Sequence, residues 1–194
     1  MMQTDTSELA HQLLEGQFGE FFLFPDREHS LDAAWEGGKN ANALIELANN
    51  SEAPVKARFL ACEVLFKNQF TFVREVKKET IAGIYAEAMA KNYTAMANSW
   101  GLMYATDDKG PVGHKFLLLG EAAIPALRDL LTDDSGPMIY IGSETATLGN
   151  ARAYRIKDAA AYYLGKIKGI DVAWHDDLRE RDKEIEQLEK ALGN

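Results

Sequence analysis

The sequence predicts an all-α protein built from packed helical hairpins. Apolar residues recur at spacings of three and four in successive segments, as at Leu44, Ile45 and Ala48, which is typical of amphipathic helices. Turn residues separate the segments, for example at 49–51 and at 110–111. No apolar run has a second strand-like segment with which it could pair in a sheet. Hydrophobic residues make up 46% of the 194, so a sizeable core is available.

The periodicity places the helices, and proline and glycine place several of their ends. Pro54 and Pro125 stand where a helix can begin, because proline fits the first helical turn. Gly16 and Gly169 are suited to end a helix in the left-handed conformation. Helices are predicted over 6–16, 30–35, 39–50, 54–68, 79–91, 121–132, 155–168 and 176–192.

We expect one domain over 1–194, with an N-terminal aromatic cap at 1–36, helical hairpins at 39–168 and a charged terminal helix at 176–192. The cap includes a phenylalanine-rich patch at 17–26 that could be a helix or a packed loop. The terminal helix has a narrow apolar seam that Arg181 interrupts, and we interpret the helix as covering one end of the core. An alternative is a structural subunit that assembles through this helix.

Charge argues against a nucleic-acid-binding protein. The net charge is −9 and the pI is near 5, whereas proteins that bind duplexes usually have a basic face. Residues 56–91 are locally basic, with Lys67, Arg74, Lys77 and Lys78. We interpret these four as a solvated helix face. Nucleic acid is therefore not an expected partner.

Little in the sequence points to chemistry. The single cysteine, Cys62, lies in an apolar run and is interpreted as a buried hydrophobic residue. The four histidines share no metal-ligand spacing, and no phosphate-binding loop or nucleophile elbow occurs. We therefore assign no catalytic residue, metal or cofactor. With no signal peptide or membrane span recognised, the expected location is the cytoplasm, without a membrane partner.

Two stretches carry a family resemblance. The segment LGEAAIPAL at 119–127 is followed by RIKDAA at 155–160, and a similar pair of helical patterns spans 39–68. This arrangement resembles the HEAT-like repeats of the armadillo-type superhelix. The stretch 141–158 is also similar to a group of uncharacterised bacterial HEAT-like proteins. The resemblance implies a right-handed α-α superhelix of about three hairpins, in which neighbouring hairpins stack to bury their apolar faces.

The connection at 133–154 departs from that pattern, because the turn within a repeat is normally a few residues long. Insertions in solenoids often lie on the binding face. A partner site is one interpretation, and a loop packed back over its hairpin is the other. Arg155, with Lys157 and Asp158, is interpreted mainly as part of an ion-pair set between repeats. The residues predicted to bind are Tyr140, Ser143, Glu144, Arg152, Tyr154 and Arg155.

The leading functional hypothesis is a non-catalytic scaffold module that binds a protein or peptide through this connection. The alternative is an enzyme resembling the HEAT-like DNA base-excision glycosylases, which use aromatic residues, a carboxylate and a basic groove. Trp100 would be the aromatic residue, Asp107 or Asp108 the carboxylate, and 67–78 the basic region. The acidic pI counts against that alternative. Other relatives of the fold are bilin lyases, but no residue here marks their chemistry. Fold by itself does not decide among these.

Overall fold

The computed structural model describes residues 5–15, 27–94, 96–102, 109–142 and 144–193, with only the backbone described at 27, 28, 144 and 145. Helices, turns and stretches without regular secondary structure make up these residues, and none of them lies in a β-strand. The all-α prediction is therefore confirmed for the described part of the chain. By internal contacts the chain divides into two compact units, Met1–Ala88 and Met89–Asn194.

The first unit is organised around one buried helix. Its helices are α1 (Thr6–Glu15), α2 (Arg27–Trp35), α3 (Ala41–Asn49), α4 (Val55–Asn68) and α5 (Lys78–Ala90), of which the last two residues, Met89 and Ala90, belong to the second unit. Helices α1, α2 and α3 all pack against α4, whose residues 57–65 are buried on every side. Because a helix buried all round needs no single apolar stripe, α4 is only weakly amphipathic.

Polar side chains inside the first unit are bonded. The Arg58 Nε donates to the carbonyl oxygen of Ala48 at 3.2 Å, which satisfies one of the carbonyls at the end of α3 that lack a partner within the helix. The buried Glu63 carboxylate accepts a hydrogen bond from the Tyr85 hydroxyl. The Tyr85 ring packs edge-on against Phe59, with centroids 5.1 Å apart. These contacts join α4 to its neighbours α3 and α5.

The second unit has the same central-helix plan. Its helices are α6 (His114–Leu119), α7 (Ile124–Asp129), α8 (Glu144–Arg152), α9 (Ile156–Lys168) and α10 (Leu178–Ala191). Helices α6, α7 and α10 pack on α9, in which residues 158–165 are buried. Gly169 ends α9 in the left-handed conformation, with φ 66° and ψ 29°, as its position in the sequence predicts.

The predicted helices are found with their ends moved by a few residues, and Pro125 lies in the first turn of α7 as expected. Two helices were not predicted, α6 and α8. The second half of the long connection predicted at 133–154 is α8. The phenylalanine-rich patch at 17–26 falls outside the described residues. The superhelical arrangement and the single domain remain predictions.

Candidate functional site

The first half of the 133–154 connection is an extended segment held on both sides by backbone hydrogen bonds. On one side the Met138 amide donates to the Tyr154 carbonyl at 2.7 Å, and the Ile156 amide donates to Ser135 at 2.9 Å. On the other side the Ala97 amide donates to the Ile139 carbonyl at 2.8 Å. The segment is thus fixed between the start of α9 and the residues that precede α6.

Two asparagine side chains complete this pairing. The Asn98 amide donates to the Ile141 carbonyl and accepts from the Ile141 N–H, both at 3.0 Å. The Asn150 side chain of α8 makes the equivalent pair with Tyr140, at 2.9 and 2.8 Å. An amide carries one acceptor and one donor group side by side, so each asparagine satisfies both polar groups of one residue. Asn150 thereby ties α8 to the segment.

Side chains of the segment alternate between the interior and solvent. Met138 and Tyr140 point inward, and the Tyr140 hydroxyl donates to the Gly101 carbonyl at 2.9 Å. Ile139 and Ile141 are each 50% exposed. This is the alternation expected of an extended chain, and here it presents two aliphatic side chains on a fixed backbone.

A cavity of about 210 Å³ adjoins Ile139. Its polar lining comes chiefly from Asn92 and Ser135. The apolar lining comes from the end of α5, the extended segment and the start of α9, and consists of Met89, Ala97, Pro137, Met138, Ile139 and Ile156. Ile139, the cavity beside it and Ile141, which the alternation places on the same face of the segment, form one apolar surface, which we call the Ile139 surface.

Beside this surface lies a set of ion pairs in which Lys157 and Arg155 are more buried than their partners Asp134 and Asp182. Lys157 and Arg155 are only 12% and 11% exposed, and both contact Asp182 at 2.9 Å. Lys157 also contacts Asp134 at 2.6 Å, and the Asp134 side chain is 73% exposed. The Asp134 carboxylate, next to Ser135, therefore faces solvent while the buried cations Lys157 and Arg155 contact it from the inner side.

The inner part of this set is more deeply buried. Asp158 is fully buried and accepts hydrogen bonds from the Arg155 backbone and side chain and from Arg181. Arg181 is 2% exposed and also donates to the Arg152 carbonyl at 2.6 Å. Buried charges are stable only when paired and hydrogen-bonded. Arg181 therefore lies on the buried face of α10 with Ile185 and does not break its seam.

These pairs shift the protonation equilibria of their members. Partial burial disfavours the charged form of Arg155, but hydrogen bonds with Asp158 and Asp182 outweigh it and raise the pKa. The pKa of Lys157 is raised in the same way, with Asp134 and Asp182 as partners. Burial by itself would raise the pKa of Asp182, but hydrogen bonds and ion pairs with Arg155 and Lys157 outweigh it and lower the pKa. All three groups are held in their charged forms.

The predicted binding residues mostly anchor the connection. Tyr140 and Tyr154 are buried, and Tyr154 packs edge-on against Trp174 with centroids 5.7 Å apart. Arg152 pairs with Asp176 at the surface, at 2.5 Å. Arg155 belongs to the ion-pair set described above. Ser143 and the Glu144 side chain lie outside the described residues, although the backbone of Glu144 begins α8.

Sequence reasoning missed the exposed members of the surface, Ile139 and Ile141. The run Met138-Ile139-Tyr140-Ile141 is apolar throughout, with no alternation of apolar and polar residues, so the sequence carries no signal that distinguishes the buried pair from the exposed pair. The tryptophan of the glycosylase alternative, Trp100, is 1% exposed, and Asp107 and Asp108 lie outside the described residues.

Within the described ranges, no group of three histidine, cysteine or acidic side chains is placed to hold a metal ion. No helix of the described chain has the length and apolar character needed to cross a bilayer. No protein-family model, curated protein or solved structure matches the chain.

Proposed function

We propose that the chain is a non-catalytic module that binds a protein or peptide partner through the Ile139 surface. The observation that carries the proposal is that two half-exposed isoleucines stand on a backbone bonded along both edges. A surface that is already ordered loses little conformational entropy on binding. Burying the exposed half of each isoleucine contributes roughly 1 kcal/mol of binding free energy.

The position of α8 also supports this role. The helix is tied to the segment by Asn150, and it exposes Leu148 to 62%. The connection therefore exposes three aliphatic side chains, Ile139, Ile141 and Leu148, on a backbone that is fixed by hydrogen bonds. Single exposed apolar residues are common, but a set carried by one ordered insertion is typical of an interaction site.

The test is an affinity pull-down from native lysate with three baits: the intact protein, an Ile139→Asp/Ile141→Asp variant and a Leu118→Asp control. Leu118 is 41% exposed on α6 and lies away from the connection in sequence. Point substitutions are preferable to replacing the connection, because Met138, Tyr140 and Ala146 are buried and their loss would unfold the unit. Circular dichroism melts establish that all three baits are folded.

We expect a partner that the intact protein and the Leu118 control retain and that the double variant loses. The partner is then purified and titrated calorimetrically against each bait. The double variant should weaken binding at least about tenfold. Capture of the same proteins by all three baits, or of no protein by the intact one, would contradict the proposed function.

A further inference from the structure

The Ile139 surface has two chemical ends. One end is apolar: the cavity beside Ile139 holds about 210 Å³, more than the roughly 150 Å³ cavity that accommodates benzene. It has room for one large aliphatic or aromatic side chain. The other end is acidic, because Asp134 directly precedes Ser135, which lines the cavity.

Asp134 is suited to meet a further cation. Its partners Lys157 and Arg155 reach one of its oxygens, Oδ1, at 2.6 and 3.5 Å from the inner side, while the Asp134 side chain is 73% exposed. A carboxylate has about four acceptor positions on its two oxygens, so two internal contacts do not saturate it. The neighbouring Asp133 adds a second carboxylate, whose oxygen accepts from the Ser135 N–H at 2.8 Å.

The ion-pair set at the acidic end, taken with Asp133, has one more carboxylate than cations. Asp133, Asp134, Asp158 and Asp182 stand against Arg155, Lys157 and Arg181, and the Asp134 side chain, 73% exposed, is more accessible to a partner than Asp182 or the three cations. The whole chain has a net charge of −9. Like charges across an interface are unfavourable and complementary charges speed association. An acidic peptide or a nucleic-acid strand is therefore a poor occupant of this surface.

From this arrangement we infer that the partner segment is a linear peptide with an aliphatic or aromatic residue close to lysine or arginine. Its apolar side chain occupies the cavity beside Ile139, and its cation pairs with Asp134. The two ends are five residues apart along the chain, at most about 17 Å, so the two peptide residues lie within about five positions of each other. The inference rests on the proposed function and specifies the partner's chemistry.

The experiment is selection of peptides from a randomised 12-residue phage library on the intact protein, with depletion on the Ile139→Asp/Ile141→Asp variant. Enriched peptides are synthesised and titrated against the intact protein, the double variant, Asp134→Asn and Asp129→Asn. Asp129 is an exposed acid on α7 and serves as the matched control. Each titration is repeated at low and at high salt.

We expect enriched peptides to combine an apolar residue with lysine or arginine within about five positions. The double variant should weaken their binding at least about tenfold, and Asp134→Asn roughly threefold. Asp129→Asn should leave it unchanged. Added salt should weaken binding to the intact protein more than binding to Asp134→Asn, because one screened ion pair is missing from the variant.

Enrichment of acidic peptides, of apolar peptides without a cation, or of none would overturn this inference. So would equal binding by Asp134→Asn and the intact protein. The proposed function fails separately, in the pull-down, when no partner depends on Ile139 and Ile141. If a partner needs the isoleucines but not Asp134, the proposed binding function stands and the inference of a basic peptide is wrong.

Discussion

Gly113 illustrates a residue whose identity is required by packing and not by backbone conformation. Its φ of −58° and ψ of −30° are ordinary helical values that any residue can adopt. A Cβ at this position would overlap the Tyr163 hydroxyl and the Trp100 carbonyl oxygen. That hydroxyl donates toward the carbonyl oxygens of Trp100 and Lys109, so it is not free to move aside.

We therefore expect Gly113→Ala to lower the free energy of unfolding by about 2–3 kcal/mol through steric overlap in the core. Urea unfolding followed by circular dichroism measures the change. The control is Gly83→Ala on α5, where a Cβ meets nothing within 4 Å. That variant should be neutral or about 0.5–1 kcal/mol more stable, since alanine favours a helix over glycine. Equal urea midpoints for Gly113→Ala and the wild type would contradict this account.

At the scale of elements, α10 depends on charge as much as on apolar contact. Ile185 and Leu188 are its buried apolar residues, whereas Leu178 is 44% exposed. Arg181 fills the remaining turn of the buried face and pairs with Asp158 on α9. Further out, Asp182 joins Arg155 and Lys157 at the start of α9. Docking of the terminal helix should accordingly respond to pH.

Asp182 sets the direction of that response. Its pKa is lowered from 3.8 on folding, so its stabilising contribution is present above that value and is lost as the pH falls through the folded value. At neutral pH we expect Asp182→Asn to cost about 0.5–1 kcal/mol, a small figure because the carboxylate is part-exposed and screened by solvent. Urea unfolding measured from about pH 7 down to about pH 2 should show this difference shrinking toward zero at the acid end.

The control for the acid series is Asp171→Asn, an exposed acid with no part in the ion-pair set. Its difference from the wild type should stay close to zero across the series. A difference for Asp182→Asn that is the same at acid and neutral pH would show that the carboxylate contributes by packing and not by charge.

At the scale of the whole molecule, Cys62 is a built-in reporter of unfolding. It is the single cysteine of the chain, and it is fully buried in α4. Burial, with the neighbouring Glu63 charge, raises the pKa of its thiol above the ordinary value. Because the thiolate is the reactive form, both the access to reagent and the fraction of reactive species are low in the folded state.

We predict that iodoacetamide labels Cys62 in the native protein at least about a thousandfold more slowly than in the unfolded protein, at a rate limited by opening of the structure. Intact-mass spectrometry measures the labelled fraction over time. A Ser51→Cys variant supplies an exposed thiol in the α3–α4 turn and should gain one rapid label. Rapid labelling of the wild type without denaturant would contradict the burial of Cys62.

The same labelling bears on domain organisation. Cys62 and Trp35 lie in the first unit, whereas Trp100 and Trp174 lie in the second, so fluorescence of a Trp35→Phe variant reports the second unit. Coincident denaturant midpoints from thiol labelling and tryptophan fluorescence are the outcome that the single-domain prediction requires. Two separated midpoints would mean that the two units unfold independently.

What the sequence by itself determined is the set of local elements. Apolar spacing located α3, α4, α5 and α9, and Pro125 and Gly169 marked a start and an end, because each of these signals acts within one or two turns of chain. Helix α6 was not predicted because six residues carry little periodicity. Helix α8 is as long as α3, but its sequence ETATLGNAR has few apolar residues and little helical periodicity among them.

Only the tertiary structure decided which face of the 133–154 connection is exposed. Its order depends on Asn98, 43 residues from Ile141, and on Asn150, ten residues from Tyr140. The burial of Arg181 likewise depends on Asp158, 23 residues away. Hydrogen bonds and ion pairs of this kind form between segments that folding brings together, so no local spacing encodes them. The candidate surface is therefore a product of packing, while the helices that support it follow from local periodicity.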